Sequence, residues 1–401
     1  MKNKYSFTAI GCYINYFVFG MAYIMIAQNM SFLTEQFHTD KAGISFIISA
    51  FGLGRLLSLY LGGVWSDKIG RKPFIVAGCL LFAVFLIGIP LSPNYVMAII
   101  FAFCGGLGNA FLDAGTYPTL MEVFPKTAGS ATVALKAFIS FGSALLPLLI
   151  AFFIQHDIFY GASFFIPAII FLVSGFMLVK AKFPNHKVSA ESTDSGPPVV
   201  FYTKPNFMIE GVAIIVIGFT APALLYLMNI WIPTYGQEMI GMPLVDSLKL
   251  MSYYSWGALL SVISLAFLVR KTIRPVTIVL VYPIFSFLSI LALLAFKTPV
   301  LAMISAFLIG FFLAGVLQLG LTVLCEFFWD RKGSVTGVMY TATGLATTLI
   351  PMVSGFITRY VDIYGVFVFA LLVNFIGILA AGVVFFQYRK LTSLKQQQLA
   401  A

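Results

Sequence analysis

Long apolar runs separated by short charged clusters set the rhythm of this chain. The runs over 74–90, 164–179 and 366–386 hold no charged residue. They reach or approach the roughly 20 residues a helix needs to cross a bilayer. Reading such runs between charge clusters and Pro/Gly punctuation predicts six helices over 6–33, 43–65, 73–91, 95–123, 129–155 and 160–180. Six more follow over 207–235, 246–269, 275–296, 299–328, 333–358 and 363–387. The stretch AKFPNHKVSAESTDSGPPVVFYTKPN, 181–206, is the only long polar segment, and its Pro, Ser and charge content reads as a linker. The expected fold class is therefore an all-α membrane protein of 12 transmembrane helices in two pseudo-symmetric six-helix bundles. The expected domains are a bundle at 1–182, a cytoplasmic linker at 183–206 and a second bundle at 207–401.

Composition excludes a soluble domain. Hydrophobic residues make up 60% of the chain and charged residues 9%, against about 25% charged in soluble domains. The mean hydropathy of +1.00 shows that apolar residues are not confined to one face, so these helices belong in lipid. The N-terminal MKNKYSFTAIG is like the charged start of a signal peptide. The apolar stretch behind it nevertheless continues to about Phe32, contains Asn15, Gln28 and Asn29, and has no small-residue cleavage site, which marks a retained first helix. Cys12, Cys79, Cys104 and Cys325 lack metal spacing and read as small buried hydrophobes, with no disulfide framework.

The net charge of +10 changes the picture only through its distribution. The basic residues sit in clusters between spans rather than in one patch, which argues against nucleic acid. Four of the 24 Lys and Arg fall in loops on one side (Lys41, Lys249, Lys297, Arg359), two fall within spans (Arg55, Lys136), and the rest lie on the side of the termini. Positive-inside bias then places both termini in the cytoplasm, in a multi-pass protein of the cell (inner) membrane. No ATP-binding Gly-rich loop, metal ligand set or cofactor motif is present, so the chain reads as neither an enzyme nor a primary pump.

The two halves resemble each other. PTLMEVFPKTAGSATVALKAFISFGSALLPLL, 118–149, lies over TVLCEFFWDRKGSVTGVMYTATGLATTLIPMV, 322–353, without a gap. In that register Leu120 falls on Leu324, Glu122 on Glu326, Gly129 on Gly333, Thr132 on Thr336 and Pro147 on Pro351, and Gly106 meets Gly310. An even helix number per half makes the repeats parallel, related by an axis along the membrane normal.

The segment GGVWSDKIGRKP, 62–73, between the second and third helices carries Gly63, Asp67, Gly70, Arg71 and Lys72. It resembles the G-x-x-x-D-[RK]-x-G-[RK]-[RK] signature of the major facilitator superfamily. An ordinary positive-inside loop would need neither the Asp nor the spaced glycines. The resemblance implies a secondary transporter with a substrate site between the halves near the midplane. It also implies a conformational latch. Gly63 lets helix backbones approach, Gly70 makes the turn, Asp67 caps a neighbouring helix end, and Arg71 pairs with Glu122 at the end of the fourth helix. The second-half counterpart VRKTIRP, 269–275, lacks the Asp and both glycines, so a latch is expected on one side only.

Three charges stand well inside spans, and each needs a partner or a function. Asp113 lies nine residues before Glu122, Lys136 seven after Gly129 and Arg55 twelve before Asp67, so the three can meet at one depth. Two readings stay open here: Asp113 is the protonation site, with Arg55 and Lys136 as neighbours, or Asp113 is a structural ion pair that never titrates. All three histidines (His38, His156, His186) fall in loops, so a proton-driven carrier must use a carboxylate. Glu35, near the outer end of the first helix, is a second candidate. By resemblance helices one, four, seven and ten line the cavity, which makes Asn15, Tyr117, Asn229 and Gln318 candidate substrate contacts. Tyr253, Trp256 and Tyr340 join them as polar aromatic groups of the second half.

The expected activity is proton-coupled symport of a small polar solute, an organic anion or a sugar-like molecule, by a monomer. An exporter or antiporter of drug-like or lipid-like molecules is the first alternative, and a non-transporting membrane sensor the second. No Arg stands near Ala102, and Leu146 precedes Pro147 where drug:proton antiporters show a Gly-Pro pair. The position after the sixth helix reads KAKFPN, without the sugar-porter run.

Overall fold

The computed structural model describes residues 4–184, 201, 204–271 and 273–398. The linker expected over 183–206 therefore lies largely outside the described residues. Among the described residues twelve helices are long and apolar enough to cross a membrane, the first six being α1 Ser6–Gln28, α2 Lys41–Ile69, α3 Arg71–Leu91, α4 Tyr95–Val123, α5 Ala128–Gln155 and α6 Ala162–Lys180. The second six are α7 Phe207–Ile240, α8 Leu244–Phe267, α9 Pro275–Ala295, α10 Pro299–Phe327, α11 Gly333–Tyr360 and α12 Ile363–Thr392. They match the spans read from the hydrophobic pattern. A short helix, Met30–Gln36, extends α1 beyond a break at Asn29.

The repeat seen in sequence is also a repeat in packing. Within the first bundle α2 and α4 meet backbone to backbone, since a Cβ on Gly106 would stand 2.0 Å from the Phe51 carbonyl oxygen and one on Gly54 2.3 Å from that of Phe103. In the second bundle α8 and α10 do the same, with Gly310 against the Tyr254 carbonyl (1.9 Å) and Gly257 against that of Phe307 (2.0 Å). Small residues give membrane helices the close approach that hydrophobic driving force cannot supply in lipid.

Two local departures from the expected spans matter for function. Helix α2 runs on to Ile69 and α3 begins at Arg71, so the whole connection is Gly70, at φ 108°. Asp67 and Lys68, expected in a loop, are the last turn of a helix whose charged end can reach the interface. Helix α10 is broken: Pro299–Leu313 ends at an extended Ala314, and Val316–Phe327 restarts after Gly315 at φ 84°. Helix α4 continues unbroken through the equivalent Phe111. Gly315 takes a left-handed conformation that Phe111 would resist, which accounts for the break in one copy and not the other.

The bundles meet along α2 with α11, α5 with α8, and α1 with α7, but only over half their depth. Far from the termini one hydrophobic core runs through both bundles, from Ile24, Ile47 and Leu146 to Trp231, Leu250 and Ile350. Toward the termini the second bundle keeps a separate core around Ile217, Val279, Val323 and Val384. The same faces of α2 and α11 show the change. A Cβ on Gly52 would lie 2.3 Å from the Thr347 carbonyl oxygen, and one on Gly344 2.4 Å from Leu56. One to three turns on, Tyr60 is 78% exposed, and Gly63, Gly333 and Gly337 have nothing within 4 Å of a notional Cβ. The space between the bundles is closed at the far end and open toward the termini.

Candidate functional site

The seat of Gly106 against α2 decides what stands beside what. Its notional Cβ would also lie 2.7 Å from the Arg55 backbone nitrogen, so the α2 and α4 backbones are in contact at the residue that carries the guanidinium. Two turns along α4 from Gly106, Asp113 reaches the Arg55 guanidinium, Nη2 to Oδ2, at 3.2 Å. Its other oxygen accepts from the Tyr16 hydroxyl on α1 at 2.5 Å. Asn109, one turn earlier, approaches Oδ2 with its amide at 3.5 Å. Tyr16 stands edge-on to Tyr117 with centroids 5.7 Å apart. Three helices thus converge on one carboxylate, and no other Asp or Glu lies in the middle of a span.

Lys136 is at this level but not in this cluster. Its ammonium lies 5.9 Å from the centre of the Tyr117 ring and makes no ion pair among the described residues. Asp113, Arg55 and, from the other bundle, Tyr340 lie within its electrostatic reach. Arg55 keeps a buried Nε with no hydrogen-bond partner. Across the bundle boundary Tyr23 on α1 meets Tyr226 on α7 edge-on at 5.2 Å, with Arg55 and Tyr254 close enough to act on Tyr23.

Other candidates are more dispersed. Tyr117 is half-buried within the cluster. Asn229 is buried one turn beyond Tyr226 on α7, and its Oδ1 has no partner. Trp256 is partly exposed and stands edge-on to Phe141 of α5 at 5.9 Å, at the bundle boundary. Tyr253 and Tyr340 are comparably exposed, and Gln318 is exposed just past the α10 break. Asn15 is fully buried facing Cys79 of α3, inside the first bundle rather than on the central space. Glu35 is exposed at the far end, well away from Asp113.

At the open end the signature residues hold one bundle together rather than joining two. Arg71 meets Glu122 at 3.4 Å (Nε to Oε1), pairs with Asp67, and donates to Ser66 Oγ at 3.2 Å. Ser66 in turn donates to the Ala114 carbonyl at 2.9 Å, so α2, α3 and α4 are tied at one corner. Asp67 is 70% exposed and takes Arg71 instead of capping a neighbouring helix. Gly63, expected to admit a close helix approach, faces open space, because the two bundles are apart at this end.

Closure at the far end involves Lys41 and Arg359, which the sequence marked only as outer charges, with partners that it did not single out. Asp40 accepts from the Gly43 amide at 2.8 Å, starting α2, and from Arg359 of α11 through Nε and Nη2, each at 2.7 Å. The Arg359 hydrogen bonds hold the Asp40 carboxyl below its ordinary value. Lys41 pairs with Glu238 at the end of α7. Ser252 of α8 donates to the Ala144 carbonyl of α5 at 2.8 Å, and Phe46 packs on Phe356 at 5.0 Å. Charges at span ends were visible in sequence, but which pairs face each other depends on how the bundles lean.

Comparison with known proteins agrees with this geometry. The family model described as Major Facilitator Superfamily matches residues 12–317 and 250–399. The chain is 47% identical over 386 residues to the uncharacterized MFS-type transporter YfkL of Bacillus subtilis (strain 168), covering 96% of this chain and 97% of that one. It is 38% identical over 381 residues to the inner membrane transport protein YdiN of Escherichia coli (strain K12), covering 94% and 89%. Among solved structures, a D-xylose-proton symporter superposes with a TM-score of 0.73 at 16% identity over 95% of this chain and 97% of that chain. That likeness bears on the fold alone.

Proposed function

Because this chain belongs to the Major Facilitator Superfamily, and is thus a multi-pass membrane transporter and not an enzyme, we propose that it is a proton-coupled symporter. Its solute is small and polar, an organic acid or a sugar-like molecule, and it works as a single chain by alternating access. The observation that carries this reading is the placing of Asp113. It is the one mid-span carboxylate, it stands where α1, α2 and α4 converge beside the open central space, and its partners are a phenol and a guanidinium.

In this reading Asp113 takes up a proton, which removes its charge and releases Arg55 and Tyr16 from it. Arg55 then regains a free positive charge beside Lys136, so the proton and an anionic solute favour each other's binding. By linkage the favour is mutual, typically 1–3 kcal/mol for such couplings. The basic bias of the termini side places the open end in the cytoplasm, and the conformation is then inward-facing. The Arg71–Glu122–Asp67 corner keeps the first bundle rigid as it rocks, and Asp67 stays available for the opposite bundle when that end closes.

Reconstitution into proteoliposomes with an imposed pH gradient tests the reading. Symport predicts solute accumulation on the alkaline side that collapses with an uncoupler. Movement opposite to the proton gradient would make the chain an exporter, and absence of flux for every solute would make it a sensor.

A further inference from the structure

The charges of the central space do not balance. Arg55 is committed to Asp113, and the second oxygen of Asp113 is taken by Tyr16. Among the described residues Lys136 has no ion-pair partner; it lies over Tyr117 and within the field of Tyr340. An ammonium at bilayer depth is costly unless it is paired or serves a ligand. The one carboxylate within reach of this ammonium, Asp113, is already shared by Arg55 and Tyr16, and the ammonium's remaining neighbours are the phenols of Tyr117 and Tyr340. Tyr254 is 4% exposed with a hydroxyl that has no partner, and Asn229 is 7% exposed with an Oδ1 in the same condition. Tyr254 stands beside Tyr23 at the bundle boundary, and Asn229 lies one turn beyond Tyr226, the α7 residue that meets Tyr23.

We propose that the solute is a hydroxylated monocarboxylate, its carboxylate seated on Lys136 between Tyr117 and Tyr340 and its hydroxyls directed to Tyr254 and Asn229. This rests on the carrier reading above and narrows it. A single uncompensated cation accommodates one negative charge. A dianion would require Arg55 as well, which is held for as long as Asp113 is ionised, so the preference for a single negative charge is that of the ionised site. A neutral polyol leaves Lys136 unpaired, and a cation is repelled by it. Lys136 is thereby the specificity-determining residue of the site.

Four molecules on one six-carbon skeleton separate these cases: gluconate, glucarate, glucose and glucosamine, with charges of about −1, −2, 0 and +1 at pH 7. Thermal unfolding of the purified full-length chain is measured against each. The expected result is stabilisation by gluconate at a concentration at least about tenfold lower than for the other three, each tenfold being 1.4 kcal/mol. Lys136→Gln is expected to abolish that preference and Lys136→Arg to keep part of it. Stabilisation by glucose equal to that by gluconate overturns the proposal, and so does no stabilisation by gluconate, neither of which requires a variant. A gluconate preference that survives in Lys136→Gln overturns the role of Lys136. The carrier reading fails separately. Gluconate preference in binding without gradient-driven gluconate uptake sinks symport and leaves this inference standing, whereas gradient-driven uptake of glucose alone does the reverse.

Discussion

Arg359 grips Asp40 with two parallel hydrogen bonds of 2.7 Å across the boundary between the bundles. The same carboxylate caps α2 through the Gly43 amide. The residue that starts one helix is therefore the one that fastens the opposite bundle to it, and a bidentate Arg–carboxylate pair is the geometry in which such a fastening is directional.

Breaking that pair is expected to loosen the far end. Asp40→Asn keeps a capping oxygen for α2 but loses the charge that Arg359 needs, so the fold should persist while the bundles part more readily there. Cysteines placed at the far end of the central space should label faster in Asp40→Asn than in the parent chain. Equal labelling rates would mean that the Lys41–Glu238 pair and the apolar seam suffice alone.

Acid should reach this gate late. The Arg359 hydrogen bonds depress the Asp40 carboxyl below the ordinary aspartate value. A depressed carboxylate contributes fully above that value and is lost as pH falls through its folded one. Far-end labelling should therefore be flat from pH 8 to about pH 5 and rise only below about pH 4. A rise already between pH 7 and pH 6 would point to another group.

Asp113→Asn preserves shape and hydrogen-bonding capacity but cannot exchange a proton. In proteoliposomes it should abolish accumulation against a gradient while substrate counterflow continues. Tyr16→Phe, which removes the 2.5 Å hydrogen bond but no charge, should retain accumulation with an altered pH profile. Undiminished uphill uptake by Asp113→Asn would end the coupling role.

Packing makes a paired prediction. Gly106→Ala drives a methyl into the Phe51 carbonyl at 2.0 Å and must shift α2 against α4, at a cost of about 1–3 kcal/mol. Gly63→Ala meets nothing within 4 Å and should leave thermal unfolding in detergent unchanged. If both variants unfold at the same temperature, the α2–α4 seat is softer than its geometry implies.

The hydrophobic pattern carried most of the fold, because a bilayer imposes its thickness on every span and leaves little for tertiary context to override. Asp113 and Arg55 were legible as partners, since a buried charge advertises itself and helix rise places both at one depth. Lys136 was legible at the level of Asp113, but that its ammonium lies over Tyr117 rather than in an ion pair was not, because depth says nothing of rotation about the helix axis. Asn15 looked cavity-facing for the same reason and points into its own bundle. Tyr23 and Tyr226 gave no signal among 18 tyrosines, and only their meeting across the boundary sets them apart. The α10 break at Gly315 was hidden because one glycine among 34 does not announce its φ.

The contact of Gly52 with Thr347, and of Gly355 with Ser45 and Ala42, has a mechanical consequence. At these positions the helices meet through backbone and short side chains, so the seam there cannot stretch to follow a partial separation as the Arg359–Asp40 pair at its end can. A gap of even 0.5–1 Å forfeits a quarter to a half of the dispersion attraction and is still too narrow for water. Half-open widths are therefore the worst of all, and the seam behaves as a threshold: it is shut until the whole of it yields. A barrier of that kind does not leak by degrees.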